Sequence, residues 1–389
     1  MRNNPITISN YIRRNFADFV NSTYVVEDEI YGQQLHEQMD SLALFHGPYL
    51  HTDLPFKKGK SVRELVRETI LSESFLKLGD IQPDRKLYLH QESAVRRAAA
   101  GHSLVVTTGT GSGKTESFLY PVLNYILSLI ENGNKGIGIK AIFLYPMNAL
   151  VNDQRSRLRK ILADYPQITF GSYTGDTVER KKDVDLDKVR AEEGCDIPEN
   201  ELLSREEIRA TPPDILFTNY SMLEYLLLRP TDFNILRRGS MNQWQFMVLD
   251  EAHTYKGTLG IEISMLLKRL MGTAGRKPQF ILTSATLGNK DAVNDIITFA
   301  HNLTSQKYEP DDVIFSERES LNAQNIQYSI LPDDYLQLKK KLDSPAEFRN
   351  LAGKYNKNLL NVSYPEALYE LLKHDKNDSG VKSKNYSCA

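Results

Sequence analysis

The chain has 389 residues, long enough for two domains, and its 41% hydrophobic and 25% charged residues are typical of a globular protein. The net charge of −2 gives no overall attraction for nucleic acid, so any such binding depends on a local basic patch. Two distant cysteines, Cys195 and Cys388, argue against a disulfide framework or a zinc cluster. The start of the chain does not resemble a signal peptide, and the most apolar run, residues 118–130, is too short to span a membrane. We therefore expect a cytoplasmic protein without membrane contact.

The hydrophobic pattern divides the chain into three regions. Residues 1–80 predict a mostly helical N-terminal extension, in which the basic stretch "PFKKGKSVR" is interpreted as a loop. In residues 81–300, six β-rich runs alternate with helical segments, which predicts an α/β fold with about six or seven parallel strands flanked by helices. The runs are "LVVTT", "KAIFLYP", "ITFGSYTG", "DILFTN", "FMVLDE" and "FILTSAT". Within this domain, residues 178–212 predict an exposed charged insertion without a chemical role, and residues 301–389 predict an interdomain region with a partly disordered tail.

The stretch "TGTGSGKT" lies between a predicted strand and a predicted helix, as a phosphate-binding P-loop does. Its glycines allow consecutive backbone N–H groups to point at phosphate oxygens, and the following helix N-terminus adds positive potential. Lys114 is expected to reach the β- and γ-phosphates, and Thr115 to bind Mg²⁺ through its hydroxyl. Thr108 replaces the first glycine of the strict pattern, at a position that only opens the turn. The residues predicted to bind ATP here are Thr108, Gly109, Thr110, Gly111, Ser112, Gly113, Lys114 and Thr115.

Two adjacent carboxylates follow another predicted strand, in "FMVLDEAH". Asp250, at the end of a buried strand, can hold Mg²⁺, and Glu251 can polarise an attacking water as general base or orienter. Adjacent carboxylates after four apolar residues are costly to place unless a cation or a substrate uses them. The pair by itself could be an ordinary acidic strand exit, but beside the P-loop it favours nucleotide hydrolysis.

These motifs resemble those of superfamily 2 helicases of the DEAD/DEAH-box kind. "DEAH" is Asp250–His253, and "SAT" resembles the motif that links hydrolysis to strand movement. "LYLHQESAV" resembles the adenine-reading Q element, in which Gln91 would bond the adenine edge and Tyr88 or His90 would stack on it. The sequences of the motifs are most similar to those of the DNA helicase branch that includes the bacterial repair helicase MrfA and the helicases of phage-defence systems. The resemblance implies a RecA-like fold, ATP and Mg²⁺ as ligands, a catalytic role for His253, and coupling roles for Ser284, Ala285 and Thr286.

Three loops after predicted strands occupy the places of the family's strand-contacting motifs Ia, Ib and Ic. Loops at the carboxyl ends of parallel strands collect at one edge of a sheet, where hydroxyls, amides and backbone N–H groups can grip a sugar-phosphate backbone. The residues expected to make these contacts are Pro146, Asn148, Gln154, Thr174, Gly175, Thr218 and Asn219. The cations Arg155, Arg157, Arg159 and Lys160 follow motif Ia and are either phosphate contacts or a solvated helix face.

The sequence thus predicts the N-terminal ATP-binding lobe of a helicase that acts on single-stranded or tailed duplex nucleic acid, with DNA favoured by the resemblance. The residues after Thr286 contain two arginines, Arg318 and Arg349, and no recognisable arginine element of a second RecA-like lobe. Unwinding is therefore expected to need a second lobe, such as one on a separate polypeptide. One alternative is a module that binds ATP or nucleic acid in a repair or phage-defence assembly without hydrolysis. Another P-loop enzyme, such as a small-molecule kinase, is disfavoured by the joint presence of "DEAH", "SAT" and "YPMNAL".

Overall fold

The computed structural model describes residues 5–23, 28, 30–32, 34, 49–50, 55–109, 111–185, 197–237, 239–288, 290–319, 334, 337, 344–355, 371 and 386–387. The chain divides into two compact units. One is Phe56–Arg318, and the other combines Met1–Pro55 with Glu319–Ala389. Each unit is described by itself.

The secondary structure of the described residues alternates between strands and helices across the larger unit. The strands are β1 (Tyr49–Leu50), β2 (Lys58–Ser61), β3 (Lys86–Tyr88), β4 (Leu104–Thr107), β5 (Ala141–Tyr145), β6 (Phe170–Tyr173), β7 (Glu201–Leu202), β8 (Ile215–Asn219), β9 (Phe246–Leu249), β10 (Gln279–Ser284), β11 (Val313–Phe315) and β12 (Tyr386–Ser387). The α-helices are α1 (Pro5–Thr23), α2 (Val62–Arg67), α3 (Leu89–Ala99), α4 (Lys114–Glu131), α5 (Asn148–Leu162), α6 (Arg205–Ala210), α7 (Tyr220–Leu228), α8 (Gly257–Ala274), α9 (Val293–Thr304) and α10 (Pro345–Ala352).

Eight of these strands form the central sheet of the larger unit, in the order β11-β4-β10-β9-β5-β8-β6-β7. Every pairing in it is parallel. The predicted α/β fold, a parallel sheet flanked by helices, is confirmed. The sheet has eight strands rather than six or seven, because β7 and β11 are edge strands of only two and three residues within polar stretches.

Helices cover both faces of this sheet. Along β5, Phe143 packs into a core shared with α3, α4 and α5, whereas Ile142 and Leu144 pack into a second core shared with α7, α8 and α9. Successive strand residues point to opposite faces, so a strand covered on both sides must be apolar at every position. This is why the strands were visible in the sequence as continuous apolar runs.

The larger unit extends beyond residues 81–300, the limits expected from the sequence. On the N-terminal side, β2 pairs antiparallel with β3, so the stretch interpreted as a loop contributes a strand. On the C-terminal side, β11 pairs with β4 at one edge of the sheet. The Nζ atom of Lys57 lies 2.8 Å from Glu317 Oε2, so an ion pair joins the two added segments.

The smaller unit is described at fewer residues. It contains α1, α10 and a two-stranded antiparallel pairing of β1 with β12. Phe348 of α10 is buried, whereas Tyr11 and Phe19 of α1 are exposed. None of the helices in the described ranges combines the length and apolarity needed to cross a bilayer.

The charged segment 178–212 is anchored to the sheet where it is described, at residues 178–185 and 197–212. The Glu201 side chain in β7 has no exposed surface, and it accepts hydrogen bonds from Arg155 Nη2 at 2.7 Å and from Arg159 Nε at 2.5 Å. A buried carboxylate requires such partners because its desolvation is otherwise uncompensated. The expectation of an exposed insertion is therefore corrected at Glu201, whereas residues 179–183 are exposed.

We expect Glu201→Gln to lower the free energy of unfolding by about 3–5 kcal/mol, because it removes the charge of a buried carboxylate that pairs with Arg155 and Arg159. Urea denaturation monitored by circular dichroism measures the change. Glu199→Gln, an exposed position two residues earlier, is the control and should change stability by less than about 0.5 kcal/mol. Equal effects of the two substitutions would contradict the assignment.

Candidate functional site

The motif loops meet at the carboxyl edge of the central sheet. Strand β10 lies between β4 and β9, with Ser284 opposite Thr107 and Leu282 opposite Leu249. The P-loop follows β4, the DEAH residues follow β9, and Ala285 and Thr286 follow β10. Parallel pairing in this register places three sequence-distant motifs side by side.

The P-loop has the backbone geometry of an anion cradle. Gly111 and Gly113 have φ values of +73° and +72°, a left-handed conformation that glycine adopts at low cost. A Cβ atom built on Gly109 or Gly111 would meet nothing within 4 Å, so the space beside them is open. Lys114 is the first residue of α4, so the N-terminal end of an 18-residue helix faces this space. Thr110 lies outside the described residues.

Thr108, the departure from the strict P-loop pattern, has structural partners. Its hydroxyl accepts a hydrogen bond from Ser112 Oγ at 2.7 Å, and both side chains are buried. Its backbone N–H donates to the carbonyl of Ser284 at 3.0 Å. A glycine could not accept the bond from Ser112, so the Thr108 side chain stabilises the turn, while the backbone N–H of this residue ties the turn to the SAT motif.

The Q element contacts the P-loop directly. The Gln91 Nε2 atom donates to the carbonyl of Gly113 at 2.9 Å, and Gln91 Oε1 accepts from the backbone N–H of Tyr88. The buried His90 places Nε2 3.0 Å from the carbonyl of Ser112. Burial lowers the pKa of His90, because a charged imidazole would be poorly solvated there. A neutral His90 that carries its hydrogen on Nε2 satisfies this contact.

An aromatic cluster beside the Q element includes a residue that the sequence did not reveal. The ring centroid of Phe56 lies 5.3 Å from that of Tyr88 and 5.7 Å from that of His90. The Tyr88 and His90 rings are stacked with an interplanar angle of 16°. The Arg318 guanidinium lies 4.7 Å from the Phe56 centroid. Phe56 precedes the Q element by a strand and a helix, and only its place in the basic stretch "PFKKGK" marked it in the sequence.

The DEAH residues join the P-loop to the SAT motif. Lys114 Nζ donates to Glu251 Oε1 at 3.0 Å. His253 Nδ1 lies 3.1 Å from Glu251 Oε2 and 3.2 Å from Ser284 Oγ. Glu251 has φ +47° and ψ +46°, a left-handed conformation that is uncommon for residues with a side chain. Such backbone strain is concentrated at functional sites, where the surrounding structure maintains it.

Asp250 is held by its neighbours in β10 and in the turn. The Thr283 hydroxyl and the backbone N–H of Glu251 both donate to Asp250 Oδ1. Burial raises the pKa of Asp250, and the nearby Glu251 charge raises it further. A divalent cation would favour the ionised carboxylate and offset this cost.

The site fits the chemistry of Mg²⁺ and a nucleotide. The open cradle beside Gly109 and Gly111 has space for a phosphate, and Asp250 and Thr115 would offer the hard oxygen ligands that Mg²⁺ prefers. Glu251 Oε2 is buried and lies 3.1 Å from His253 Nδ1, but it accepts no hydrogen bond among the described residues, so an acceptor position remains for a bound water.

The loops of motifs Ia, Ib and Ic are joined by one amide side chain. Asn148 Nδ2 donates to Asp176 Oδ2 at 2.8 Å, and Asn148 Oδ1 accepts from Asn219 Nδ2 at 2.9 Å. Asn219 also caps α7 by accepting from the N–H of Met222. Gly175 is exposed, whereas Pro146 and Gln154 are half-buried. The structure therefore brings the three loops together as predicted.

Two predicted contact residues are turned inward. The Thr218 side chain is buried and its hydroxyl donates to the carbonyl of Tyr173 at 2.8 Å. Thr174 is also buried, and its hydroxyl lies 3.3 Å from that of Thr177. The hydroxyls of Thr174 and Thr218 thus position the loops instead of presenting oxygens to a strand.

Arg205, in the segment expected to have no chemical role, holds the motif Ib loop. Its Nη2 atom donates to the carbonyl of Thr174 at 2.9 Å, and its guanidinium lies 5.2 Å from the centroid of the Tyr173 ring. Dense mixed charge concealed this role in the sequence, because solvated and buried arginines have the same local pattern.

The arginines that follow motif Ia form ion pairs within the chain. Arg155 and Arg159 pair with Glu201, and Arg157 Nη2 donates to Glu116 Oε1 at 2.6 Å. These partners favour a structural role for the three guanidinium groups. Lys160 is exposed.

The sequence profile of DEAD/DEAH box helicases matches residues 88–294, more than half of the chain. The chain belongs to the DEAD/DEAH-box helicase family. The family predicted from the motifs is thereby confirmed.

Two curated proteins illustrate how this family member relates to others. It is 28% identical to the Druantia protein DruE of Escherichia coli strain UMEA 4076-1, over 75% of this chain and 21% of that protein. It is 30% identical to the Bacillus subtilis protein named uncharacterized ATP-dependent helicase YprA, over 55% of this chain and 24% of that protein. The chain thus spans about a fifth to a quarter of the length of these relatives.

A solved helicase has a similar fold. The crystal structure of DUF1998 helicase MrfA bound to DNA superposes with a TM-score of 0.51 and 21% sequence identity, covering 83% of this chain and 44% of that chain. This likeness supports the RecA-like architecture of the family member.

We expect Lys114→Ala to weaken Mg²⁺–ATP binding about 10- to 100-fold, because it removes a charge-assisted contact with the phosphates. Isothermal titration calorimetry measures the affinity. Unfolding stability should change by about 1 kcal/mol or less, since the Lys114–Glu251 pair is partly exposed. Lys268→Ala, on the exposed face of α8, is the control and should bind like the wild type. Unchanged affinity of Lys114→Ala would contradict the assignment.

We expect His90→Gln to make the free energy of unfolding less dependent on pH in mildly acidic solution. The folded-state pKa of His90 is lowered, so the unfolded chain binds the proton more readily and stability falls as the pH drops below the unfolded value of about 6.5. Urea midpoints of wild type and variant, measured between pH 7.5 and pH 5.5, should therefore converge or cross as the pH falls. The same slope in His90→Gln and wild type would rule out this contribution.

Proposed function

We propose that this chain is the ATP-binding and hydrolysing lobe of a helicase that grips a nucleic-acid strand, with DNA as its substrate. The observation that carries the proposal is the contact chain Lys114–Glu251–His253–Ser284, which links the P-loop, the DEAH residues and the SAT motif. Contacts of this kind support the proposal that all three motifs act at one site.

Nucleotide binding would use the P-loop and the aromatic cluster. The backbone N–H groups of the loop and the N-terminus of α4 would hold the phosphates, and Lys114 would exchange Glu251 for phosphate oxygens. The ring of Phe56 or of Tyr88 would stack on the base. Gln91 would offer its second Nε2 hydrogen to the adenine edge, since the other one is donated to Gly113.

Hydrolysis would depend on Glu251. Once Lys114 contacts phosphate, the Glu251 carboxylate is free to orient a water and to accept its proton. Bound Mg²⁺ would polarise the phosphoryl oxygens, with Asp250 and Thr115 as the residues that hold it. His253 would hold Glu251 at a fixed distance from Ser284, so that a conformational change at the bound nucleotide is transmitted to the SAT motif.

Strand binding would use the three loops joined by Asn148. Backbone groups around Pro146, Gly175 and Asn219 would contact the sugar-phosphate backbone without reading bases. DNA is favoured over RNA because the motif sequences resemble those of DNA helicases. The solved helicase MrfA is bound to DNA, which makes single-stranded DNA the natural first probe.

We further propose that rapid hydrolysis and unwinding require a second RecA-like lobe. Lys114 supplies one positive charge to the developing charge on the γ-phosphoryl group. An arginine from across a cleft adds roughly 10³- to 10⁵-fold in related phosphoryl transfers. The isolated 389-residue chain should therefore turn over slowly.

We expect Glu251→Gln to keep Mg²⁺–ATP bound within about threefold of the wild type and to lower the residual single-turnover hydrolysis about 10²- to 10⁴-fold. Glutamine retains the shape of the side chain but does not accept the proton of the water. Quench-flow with γ-labelled ATP and excess protein measures the rate. Glu262→Gln, at an exposed position of α8, is the control. A wild-type rate in Glu251→Gln would exclude Glu251 as the base.

A further inference from the structure

An ion pair connects the helix of the P-loop with the helix of motif Ia. Arg157 Nη2, in α5, donates to Glu116 Oε1, in α4, at 2.6 Å. The Glu116 side chain is 11% exposed and the Arg157 side chain 33% exposed, so water screens the pair only in part. Glu116 directly follows Thr115, the expected Mg²⁺ ligand.

The Glu116 carboxylate also lies against the nucleotide-binding loop. A Cβ atom built on Gly113 would lie 3.0 Å from Glu116 Oε2 and 2.5 Å from Gln91 Nε2. The Oε2 atom is buried and has no hydrogen-bond partner among the described residues. One carboxylate therefore lies beside the P-loop and the Q element while its other oxygen holds α5. A displacement of the loop would change the position of this carboxylate, because Glu116 belongs to the first turn of α4.

The opposite end of α5 is where the strand-contacting loops are joined. Asn148, the first residue of α5, bonds to Asp176 in motif Ib and to Asn219 in motif Ic. Arg157 lies nine residues further along the same helix, about 13.5 Å at the helical rise. A helix transmits a displacement over this distance because its backbone hydrogen bonds keep it rigid.

We infer that Glu116 and Arg157 are a positioning pair that couples nucleotide binding at the P-loop to strand binding at the motif Ia, Ib and Ic loops. This inference rests on the proposed function. The pair contacts neither the nucleotide nor the strand itself. It fixes α5 relative to α4, so the conformation of one site biases the conformation of the other.

Arg155 provides a matched control on the same helix. It has the same charge and lies two residues from Arg157, but its guanidinium bonds to Glu201 in β7 and to Asn152. Its substitution removes an ion pair of α5 without touching the contact to α4.

The test measures binding coupling in the full chain. The dissociation constant of Mg²⁺–mant-ATP is determined by fluorescence with and without saturating oligo(dT), and the ratio of the two values is the coupling factor. We expect a factor of about five or more in the wild type, and a factor within about twofold of unity in Arg157→Met and in Glu116→Gln. Arg157→Lys should retain part of the coupling, and Arg155→Met all of it. The double variant Glu116→Gln/Arg157→Met should resemble either single variant, since both break one contact.

Each other outcome overturns the inference. A wild-type coupling factor in Arg157→Met or Glu116→Gln, or an equal loss in Arg155→Met, would show that the pair is not the link. Weaker oligo(dT) binding in Arg157→Met with an unchanged factor, and no effect of Glu116→Gln, would identify Arg157 as a phosphate contact instead. A wild type that binds both ligands without coupling would overturn this inference alone, whereas a wild type that binds neither would overturn the proposed function as well. Urea denaturation checks folding, and if Arg157→Met does not fold, Glu116→Gln and Arg157→Lys decide the question.

Discussion

The parallel pairing of β10 between β4 and β9 is the constraint on which the rest of the site depends. Each of these strands ends in a motif, and their register places Ser284 opposite Thr107 and Leu282 opposite Leu249. A slip of one residue would turn every side chain of the strand to the other face of the sheet. The apolar burial of both faces therefore fixes the relative positions of P-loop, DEAH and SAT residues before any ligand interaction contributes.

The polar groups at this edge compensate one another. Lys114 neutralises Glu251, Thr283 and a backbone N–H support Asp250, and Thr108 accepts from Ser112. The left-handed backbone of Glu251 and the raised pKa of Asp250 both carry a cost. Features that destabilise the fold in this way are kept at sites where the same groups bind a ligand, because ligand binding offsets the loss of folding stability. The arrangement is therefore consistent with the nucleotide site proposed at this edge of the sheet.

Ion pairs also connect the helices behind this edge of the sheet. Glu201 fixes α5 through Arg155 and Arg159 on one side, while Glu116 contacts it through Arg157 on the other. The amide of Asn148 joins the start of the same helix to the motif Ib and Ic loops. The arginines of this one helix therefore have partners in two parts of the fold, since Arg155 and Arg159 share Glu201 in β7 and Arg157 pairs with Glu116 in α4.

The sequence by itself determined the fold class, the family and the positions of the P-loop, DEAH and SAT motifs, because these depend on local signals. Continuous apolar runs mark strands that are buried on both faces, and glycines mark the turn after β4 that needs a left-handed backbone. The tertiary structure alone decided that Phe56 joins Tyr88 and His90, that Glu201 is buried, and that Thr218 faces inward. It also decided which carboxylate each arginine of α5 meets. These contacts join residues far apart in sequence, and no local periodicity records them, since a charged side chain has the same sequence pattern whether water or a distant carboxylate satisfies it.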